Sequence, residues 1–206
     1  IIAPYEAKNI YMIQLHNENQ DWTPERAPII ALFNEYFGGS MNAIVFQELR
    51  EARGLAYSAY AQYDTPYRLG DKESFYTYII TQNDKMMDCV GEFNKLLNNV
   101  PVRQSGFDLA KQSLMKNLAS QRTTKYSVLT AYLALQRLGL DCSLSEKIYN
   151  ALPSLQLQDV INFEKEYIAN KTFKYIILGN EKELDLKALE KIAPIKRVTT
   201  EEIFGY

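Results

Sequence analysis

The sequence predicts an α+β fold, and two observations support that class. Segments with strand character occur in the first, middle and last thirds of the 206-residue chain. Helical patterns follow one another between the middle and last strands, which differs from the strand–helix alternation of a parallel α/β sheet. We therefore expect a mostly antiparallel sheet packed on one side by several helices. The length and an apolar fraction of 47% fit a single domain spanning residues 1–206.

The first predicted elements are a strand at residues 9–16 and the helix that follows it. The strand alternates, so that Ile10 and Met12 share one face. The helix is expected to have Thr23 as its N-cap, because a threonine oxygen can accept a free backbone N–H. Pro24 is expected at the first helical position, where a missing N–H costs nothing. Apolar residues at helical spacing continue this helix as far as residue 37.

A glycine pair separates this helix from the next one. Gly38 and Gly39 are predicted to let two helices meet at a tight corner, where a positive φ is accessible mainly to glycine. The sequence has neither a Walker-type phosphate loop nor a GxGxxG motif, so the pair is not interpreted as a nucleotide site. Ser40 is expected to cap the second helix, which runs from Met41 to about Ala52.

Turn and capping signals predict the rest of the chain. Aromatic and β-branched residues on both sides of a turn-prone loop predict an antiparallel hairpin at residues 55–82. Asn83 with Asp84, and Ser105 with Asp108, are expected to cap the two helices that follow. The predicted elements are strands at 55–64, 73–82 and 172–178, helices at 83–99, 105–122, 125–138, 143–151, 155–168 and 185–192, and an edge strand near residue 198.

Composition argues against several classes of function. The 23 basic and 25 acidic residues give a formal net charge of −2, so we expect no nucleic-acid partner. The longest apolar runs, such as residues 27–33, are far shorter than the roughly 20 residues of a membrane span, so no membrane span is expected. The sequence begins at Ile1 without a secretory signal, so we expect a mature or excised piece, and a cytoplasmic or periplasmic location stays open.

Few residues offer catalytic or metal-binding chemistry. His16 is the only histidine, which removes the paired histidines of HExxH and HxxEH zinc sites, and we expect it at the surface end of a strand. We interpret both cysteines, Cys89 and Cys142, as buried thiols. The carboxylate pairs on charged helices are expected to be solvated: Glu48 with Glu51, and Glu164 with Glu166.

One stretch, FNEYFGGSMNAIVFQELREARGLAYSAYAQY at residues 33–63, carries a specific resemblance. It resembles a segment of the pitrilysin/insulinase (M16) zinc metallopeptidase family, which includes mitochondrial processing peptidase. The shared order is a helix, a Gly-Gly turn, a second helix, a glycine stop and a strand. The later stretches LQLQDVINFEKEYI and YIILGN resemble the family's late helix and last core strand. The resemblance implies the LuxS/processing-peptidase-like metallohydrolase fold.

The same resemblance implies that two domains of the enzyme have different roles. Since this sequence lacks the HxxEH helix, it is similar to the non-zinc, C-terminal-type domain, a fragment of a longer chain that is inactive alone. The resemblance implies no cofactor in this chain and zinc in a partner catalytic domain or subunit, with a peptide as substrate. Matching the motif residue by residue places the family's substrate-contacting arginine and tyrosine at Arg50 and Tyr57.

The chemistry of these two side chains fits that role. A phenol O–H and a guanidinium can both donate to a carbonyl oxygen that gains negative charge during amide hydrolysis. A structural alternative also fits, because an arginine near a helix C-terminus and a tyrosine in a strand are both common without any function. The motif favours the functional interpretation, with Phe46 and Leu49 as core residues and Gly54 as a left-handed helix stop.

Two other functions stay open from the sequence. A structural or assembly subunit could keep the fold without a peptidase role, and a stand-alone module could bind extended peptides. An HxxEH helix encoded nearby would favour the peptidase over either. A homo-oligomer, the substrate and the cleavage specificity are not decided by the sequence.

Overall fold

A five-stranded sheet organises the chain in the computed structural model, which describes residues 1–17, 19–122 and 124–205. The strand order is β1-β5-β2-β4-β3, with β1 parallel to β5 and the other neighbours antiparallel. The predicted α+β class and mostly antiparallel sheet are therefore confirmed. The strands are β1 (Ile2–Pro4), β2 (Asn9–His16), β3 (Ser58–Asp64), β4 (Ser74–Gln82) and β5 (Lys174–Gly179).

Helices fill the sequence between and after these strands. The first two each pass from an α-helical into a π-helical segment. None of the helices in the described part of the chain is long and apolar enough to cross a membrane. They are α1 (Ala27–Phe33, then π-helical Asn34–Gly38), α2 (Ile44–Phe46, then π-helical Gln47–Ala52), α3 (Met86–Asn98), α4 (Gln104–Ser120), α5 (Ser127–Arg137), α6 (Leu144–Ala151), α7 (Leu157–Tyr167), α8 (Leu186–Ile192) and α9 (Thr200–Phe204).

The core lies between one face of the sheet and the helices. On β2, Ile10 and Met12, which were predicted to share one face, are both fully buried, as the strand's alternation requires. Phe33 of α1 lies at the centre, with its ring centroid 5.3 Å from that of Phe163 on α7 and 6.3 Å from that of Phe75 on β4. The aromatic residues of distant segments therefore meet in one continuous core.

A buried ion pair ties the start of α1 to the hairpin. Glu73 is fully buried and accepts hydrogen bonds from Arg26 Nη2 at 2.9 Å and from the Tyr63 hydroxyl at 2.9 Å. Because both carboxylate oxygens are paired, the cost of burying this charge is offset. The network also explains why α1 begins late: Arg26 is turned toward Glu73 and serves as the N-cap without a side-chain bond. The predicted Thr23 cap and Pro24 start are wrong.

The other predicted caps also differ from the structure. Ser40 bonds backward to the carbonyl of Glu35 at 3.4 Å, and α2 begins only after Ala43. The Asn83 amide instead donates to the carbonyl of Ala7 at 3.3 Å, in a short 3-10 turn before α3. At α4, Asp108 accepts from Gln104 at 2.8 Å, so no Ser105–Asp108 box forms. These polar side chains therefore bond other groups, local ones for Ser40 and Asp108 and a distant one for Asn83, instead of capping the helices.

The glycine pair is required for a different structural reason from the one predicted. Gly38 and Gly39 do not adopt a positive φ. A Cβ atom on Gly38 would lie 2.1 Å from the carbonyl oxygen of Ala61 on β3. The residue is therefore glycine because helix and strand backbones approach closely there. Gly54, by contrast, has φ +58°, as predicted for a helix stop.

Some burial predictions are also corrected. Cys89 is buried as expected, and desolvation raises the pKa of its thiol to about 12. Cys142 is exposed, because it lies in the turn before α6 rather than in a helix. Glu164 is buried rather than solvated, because α7 turns it toward the core together with its apolar residues. The segment near Val198 forms one bridge beside β1 instead of a strand, and α9 follows it.

Candidate functional site

Arg50 lies on the last turn of α2, where its side chain reaches the surface. The side chain is 44% exposed, and its Nε atom lies 3.7 Å from Glu51 Oε1. Its guanidinium carbon is 4.8 Å from the ring centroid of Phe46, one helical turn earlier, and 5.8 Å from that of Tyr57. Phe46 was predicted to be a core residue, but it is only partly buried, and its ring lies against the guanidinium instead.

Tyr57 lies directly before β3 and extends into solvent. Its backbone N–H donates to the carbonyl of Ile80 on β4 at 2.8 Å, which fixes the start of the hairpin ladder. The side chain is 73% exposed. The strand begins at Ser58 rather than at residue 55, so Tyr57 precedes it instead of lying inside it. The predicted donors nevertheless lie side by side on one surface, one from a helix and the other from the residue before a strand.

The turn between the two residues is held at several points. Gly54 donates to the carbonyl of Arg50 at 3.0 Å, and Leu55 donates to that of Leu49 at 2.8 Å. The hydroxyl of Thr81 on β4 donates to the carbonyl of Leu55 at 2.5 Å. Because the turn is bonded both to the helix and to the sheet, the separation of the arginine and the tyrosine is fixed by the fold.

A cleft opens beside Tyr57, between the turn and the end of β4. It has a volume of about 320 Å³ and is lined by Tyr57, Gly54, Thr81 and Lys85, among others. Lys85 also donates to the carbonyl of Gly54 at 3.2 Å. The sequence analysis missed Lys85, which lies 28 residues beyond Tyr57 and reaches the site only because β3 and β4 pair.

The carboxylate of Glu48, two residues before Arg50, forms ion pairs with arginines instead of being surrounded by solvent as predicted. Its carboxylate pairs with Arg103 before α4 and with Arg53 at 3.8 Å, and Arg53 reaches Glu92 on α3 at 3.4 Å. Such partly exposed pairs contribute little individually, but a network of them orients the end of α2. Arg50 and Arg53, the residue that follows α2, therefore have different partners: Glu51 for Arg50, and Glu48 and Glu92 for Arg53.

A metal site is not formed by this part of the molecule. Residues 1–17, 19–122 and 124–205 contain no group of three or more histidine, cysteine, aspartate or glutamate side chains that could hold a metal ion. His16 lies at the end of β2, with Nδ1 2.7 Å from the carbonyl oxygen of Thr172. Its ring contacts that of Phe173, with centroids 5.6 Å apart. This histidine belongs to the junction between β2 and β5.

Solved structures share this fold at low sequence identity. The peptidase M16 inactive domain from Pseudomonas fluorescens superposes with a TM-score of 0.71 at 17% identity, covering 87% of this chain and 43% of that one. A protease from Helicobacter pylori gives 0.68 at 14% identity, covering 86% and 43%. A chain of Complex III2 from Candida albicans gives 0.63 at 15% identity, covering 94% and 49%. The protein thus spans less than half the length of these three chains.

Sequence comparison identifies the family more directly. The family model of the peptidase M16 inactive domain matches residues 5–114, which is more than half of the chain and contains both Arg50 and Tyr57. No curated protein matches the chain. The protein belongs to the peptidase M16 inactive domain family.

Proposed function

We propose that this chain is the non-catalytic partner domain of a zinc metallopeptidase and that Arg50 and Tyr57 bind the peptide near a metal held by another domain. Membership of an inactive-domain family supports the non-catalytic part of this assignment. The related chains are about twice as long, which leaves room for a second domain of similar size. Zinc does not fit the described part of this chain, because no ligand cluster is present there.

The observation that carries the proposal is the shared exposure of two donors. The Arg50 guanidinium and the Tyr57 ring lie 5.8 Å apart, and both face solvent. Burial of either side chain would have removed it from any peptide. Because the guanidinium already rests on Phe46 and Tyr57, part of its conformational entropy is lost before a ligand binds.

Amide hydrolysis gives these donors a specific task. Attack on the carbonyl carbon places negative charge on its oxygen, and a preorganised donor stabilises that charge more than it stabilises the neutral amide. In this proposal the Tyr57 hydroxyl donates to that oxygen, while the Arg50 fork holds neighbouring backbone carbonyls of the peptide. Loss of one such donor typically costs about 3 kcal/mol in the transition state.

The peptide backbone would pair elsewhere, since each edge of this sheet already has hydrogen-bond partners from this chain along part of its length. At the β3 edge the Asn34 amide donates to the carbonyl of Tyr63 at 2.9 Å and accepts from its N–H at 2.8 Å. At the β1 edge Ile2 donates to Lys196 at 2.9 Å and accepts from Val198 at 3.0 Å. Strand addition would therefore use an edge of the catalytic domain, and this chain would contribute side chains.

Kinetics of the complete two-domain enzyme test the proposal. Arg50→Ala and Tyr57→Phe should each lower kcat/KM by roughly a hundredfold, because each removes a donor from the transition state. Thermal unfolding followed by circular dichroism should be unchanged, since both side chains are exposed. Zinc content should also be unchanged.

A second arginine–tyrosine pair in the same chain provides the control. In the loop between β3 and β4, the guanidinium carbon of Arg68 lies 5.7 Å from the ring centroid of Tyr67, close to the 5.8 Å of the candidate pair, and Arg137 lies over the same ring at 4.4 Å. Arg68→Ala and Tyr67→Phe should leave kcat/KM within twofold of the parent enzyme. The assignment fails if Arg50→Ala and Tyr57→Phe behave like these controls.

The likeness to a chain of Complex III2 favours one alternative, a structural or assembly subunit with no peptidase role. In that case a complex isolated with this chain would contain no HxxEH-bearing partner. The complex would then cleave no peptide, whether or not Arg50 and Tyr57 are intact.

A further inference from the structure

The helix α5 presents a row of apolar side chains to solvent. Val128, Leu129, Tyr132 and Leu133 occupy positions i, i+1, i+4 and i+5, which lie on one face of a helix. Their exposed fractions are 54%, 64%, 56% and 41%, and no residue of α5 is buried. These four side chains are called the α5 stripe. A stripe of this kind normally packs on a core, so its exposure requires an explanation.

The fold holds α5 in place without covering the stripe. At its C-terminal end, Leu69 of the hairpin loop donates its N–H to the carbonyl of Arg137 at 2.7 Å, and Leu138 packs against the core. At its N-terminal end the bonds are local, between Thr124 and Ser127. Leu69 is itself 64% exposed, which adds an apolar side chain at the end of the helix.

Positive charge surrounds the α5 stripe. Residues 101–140 contain six basic side chains and one acidic one, whereas the whole chain has a net charge of −2. Of the six, only Arg103 pairs with a carboxylate among the described residues, that of Glu48. Lys125 and Arg137, on either side of the stripe, lie over tyrosine rings instead, 5.9 and 4.4 Å from the ring centroids. This surface therefore favours a negatively charged partner.

The α5 stripe lies far from the Arg50–Tyr57 site. The loop that holds α5 joins β3 to β4 at the end of the hairpin opposite Tyr57. Because β3 has seven residues, a rise of about 3.3 Å per residue places that loop roughly 20 Å from Tyr57. A partner on the stripe can therefore leave both donors accessible.

A second copy of the chain is a poor occupant for this face. In a two-fold dimer the same patch meets itself, which would bring two positively charged surfaces together. The contact would also be small. Half the surface of the eleven-residue α5, taken as a cylinder about 16 Å long and 10 Å wide, is roughly 260 Å². Stable complexes bury about 800 Å² on each partner.

A lipid surface fits α5 less well than protein does. A helix at a membrane surface has a strongly charged face opposite its apolar face. Opposite the α5 stripe lie Thr130, Ala131 and Ala134, which are uncharged and exposed. Such small side chains allow another element to approach the helix closely. The helix is therefore suited to enclosure by protein on more than one side.

We propose that the α5 stripe docks against a second domain of a longer polypeptide, on a face that combines apolar side chains with aspartate and glutamate. This inference rests on the proposed function, in which the chain works beside another domain. This chain covers 43% of each of two related chains, which leaves more than half of their length for further structure. Tethering raises the effective concentration of a partner to about the millimolar range, so that a small contact suffices.

Thiol accessibility in the complete two-domain protein tests the inference. Leu129→Cys is introduced together with Cys142→Ser, because Cys142 is exposed whereas Cys89 is buried. Alkylation by iodoacetamide, followed by peptide mass spectrometry, should be at least tenfold slower in the complete protein than in the 206-residue chain. Ile203→Cys is the matched control, because Ile203 is 50% exposed and lies in α9, which follows the segment beside β1 at the opposite edge of the sheet. It should react within twofold of the same rate in both proteins.

Charge reversal tests the chemistry of the partner face. In the complete protein, Lys125→Glu/Arg137→Glu should accelerate alkylation of Leu129→Cys at least fivefold, because like charges would then face each other. Lys187→Glu/Lys191→Glu changes the net charge equally at exposed positions of α8 and should leave the rate within twofold. Circular dichroism melts verify that each variant is folded.

Several results would overturn the inference. Equal alkylation of Leu129→Cys in the two proteins would show that no domain covers the stripe. Protection that increases with protein concentration would indicate a second copy. Protection that requires vesicles of phosphatidylserine and phosphatidylcholine would indicate a lipid surface. Protection that Lys125→Glu/Arg137→Glu leaves unchanged would exclude an acidic face.

Kinetics separate this inference from the proposed function. If Leu129→Cys is protected in the complete protein while Arg50→Ala and Tyr57→Phe leave kcat/KM unchanged, the docking surface stands and the donor assignment fails. If Arg50→Ala and Tyr57→Phe lower kcat/KM while Leu129→Cys reacts equally in both proteins, the donors stand and the docking inference fails.

Discussion

The two faces of the sheet come from the same strands and differ in almost everything else. On β4, Ile79 is fully buried beneath the helices, while its neighbour Tyr78 remains partly exposed on the face that the helices leave uncovered, which is called the open face. The two residues differ only in the face of the sheet to which the alternation of the strand assigns them. The comparison teaches that one face of the sheet supplies the core, while the composition of the other is not constrained by core packing.

The largest expected difference between the faces is in stability. Phe33→Ala should lower the free energy of unfolding by about 4 kcal/mol, because the ring is fully buried among Phe37, Phe75 and Phe163 and its loss leaves a cavity. On the open face, Tyr60→Ser should cost less than about 1 kcal/mol. Urea unfolding measures both values. Similar losses would show that the open face also belongs to the core.

The covered side also contains a carboxyl group whose charge opposes folding. Glu164 is buried and its Oε1 makes no hydrogen bond within the described residues, so desolvation raises its pKa to about 7 from 4.5. An acid with a raised folded-state pKa binds more protons when folded. The contribution of Glu164 to stability is therefore fully present below about pH 4.5, falls as the pH rises, and is lost above about pH 7.

Glu164→Gln isolates that effect. At pH 8 the variant should be more stable than the parent by up to about 3 kcal/mol, since it cannot ionise, whereas at pH 4 the difference should be small. Urea unfolding at the two pH values gives both differences. The explanation is wrong if the gain is the same at both.

A smaller effect is expected where α1 crosses the edge strand of the sheet. Gly38→Ala should lower the free energy of unfolding by about 2 kcal/mol, because the new methyl group would collide with the backbone of Ala61. Gly91→Ala is the control: it lies in α3 with no atom within 4 Å of the added Cβ, and should raise stability by roughly 0.5 to 1 kcal/mol. Equal responses at the two glycines would contradict the close approach.

Periodicity predicted most of the elements, and chain-local signals misplaced their beginnings. Periodicity predicted the strand β2, the hairpin of β3 and β4, and the late helix α7. Burial of one face places apolar residues at every second position of a strand and at every third or fourth position of a helix. Caps were less predictable. The polar side chains expected to close helices, such as Ser40 and Asn83, found other hydrogen-bond partners in the folded chain.

The candidate site shows the same division. The motif placed Arg50 and Tyr57 in a helix and at a strand, and the structure places them on one exposed surface. Their roles toward a peptide remain a proposal. Lys85 gave no signal in the sequence, because its proximity to Gly54 depends on strand pairing. The burial of Glu164 was readable from periodicity but was not predicted: Val160, Ile161, Tyr167 and Ile168, three and four residues away on the same helix, are all apolar.

The sequence by itself determined the class of fold and the family motif, and it singled out Arg50 and Tyr57 as the residues proposed to be donors, because these depend on local spacing and residue type. Tertiary structure decided which glycine is required by contact, how far apart Arg50 and Tyr57 lie and which tyrosines remain on the uncovered face of the sheet. The physical reason is that burial, proximity and pKa depend on atoms brought together by the sheet, from segments far apart along the chain.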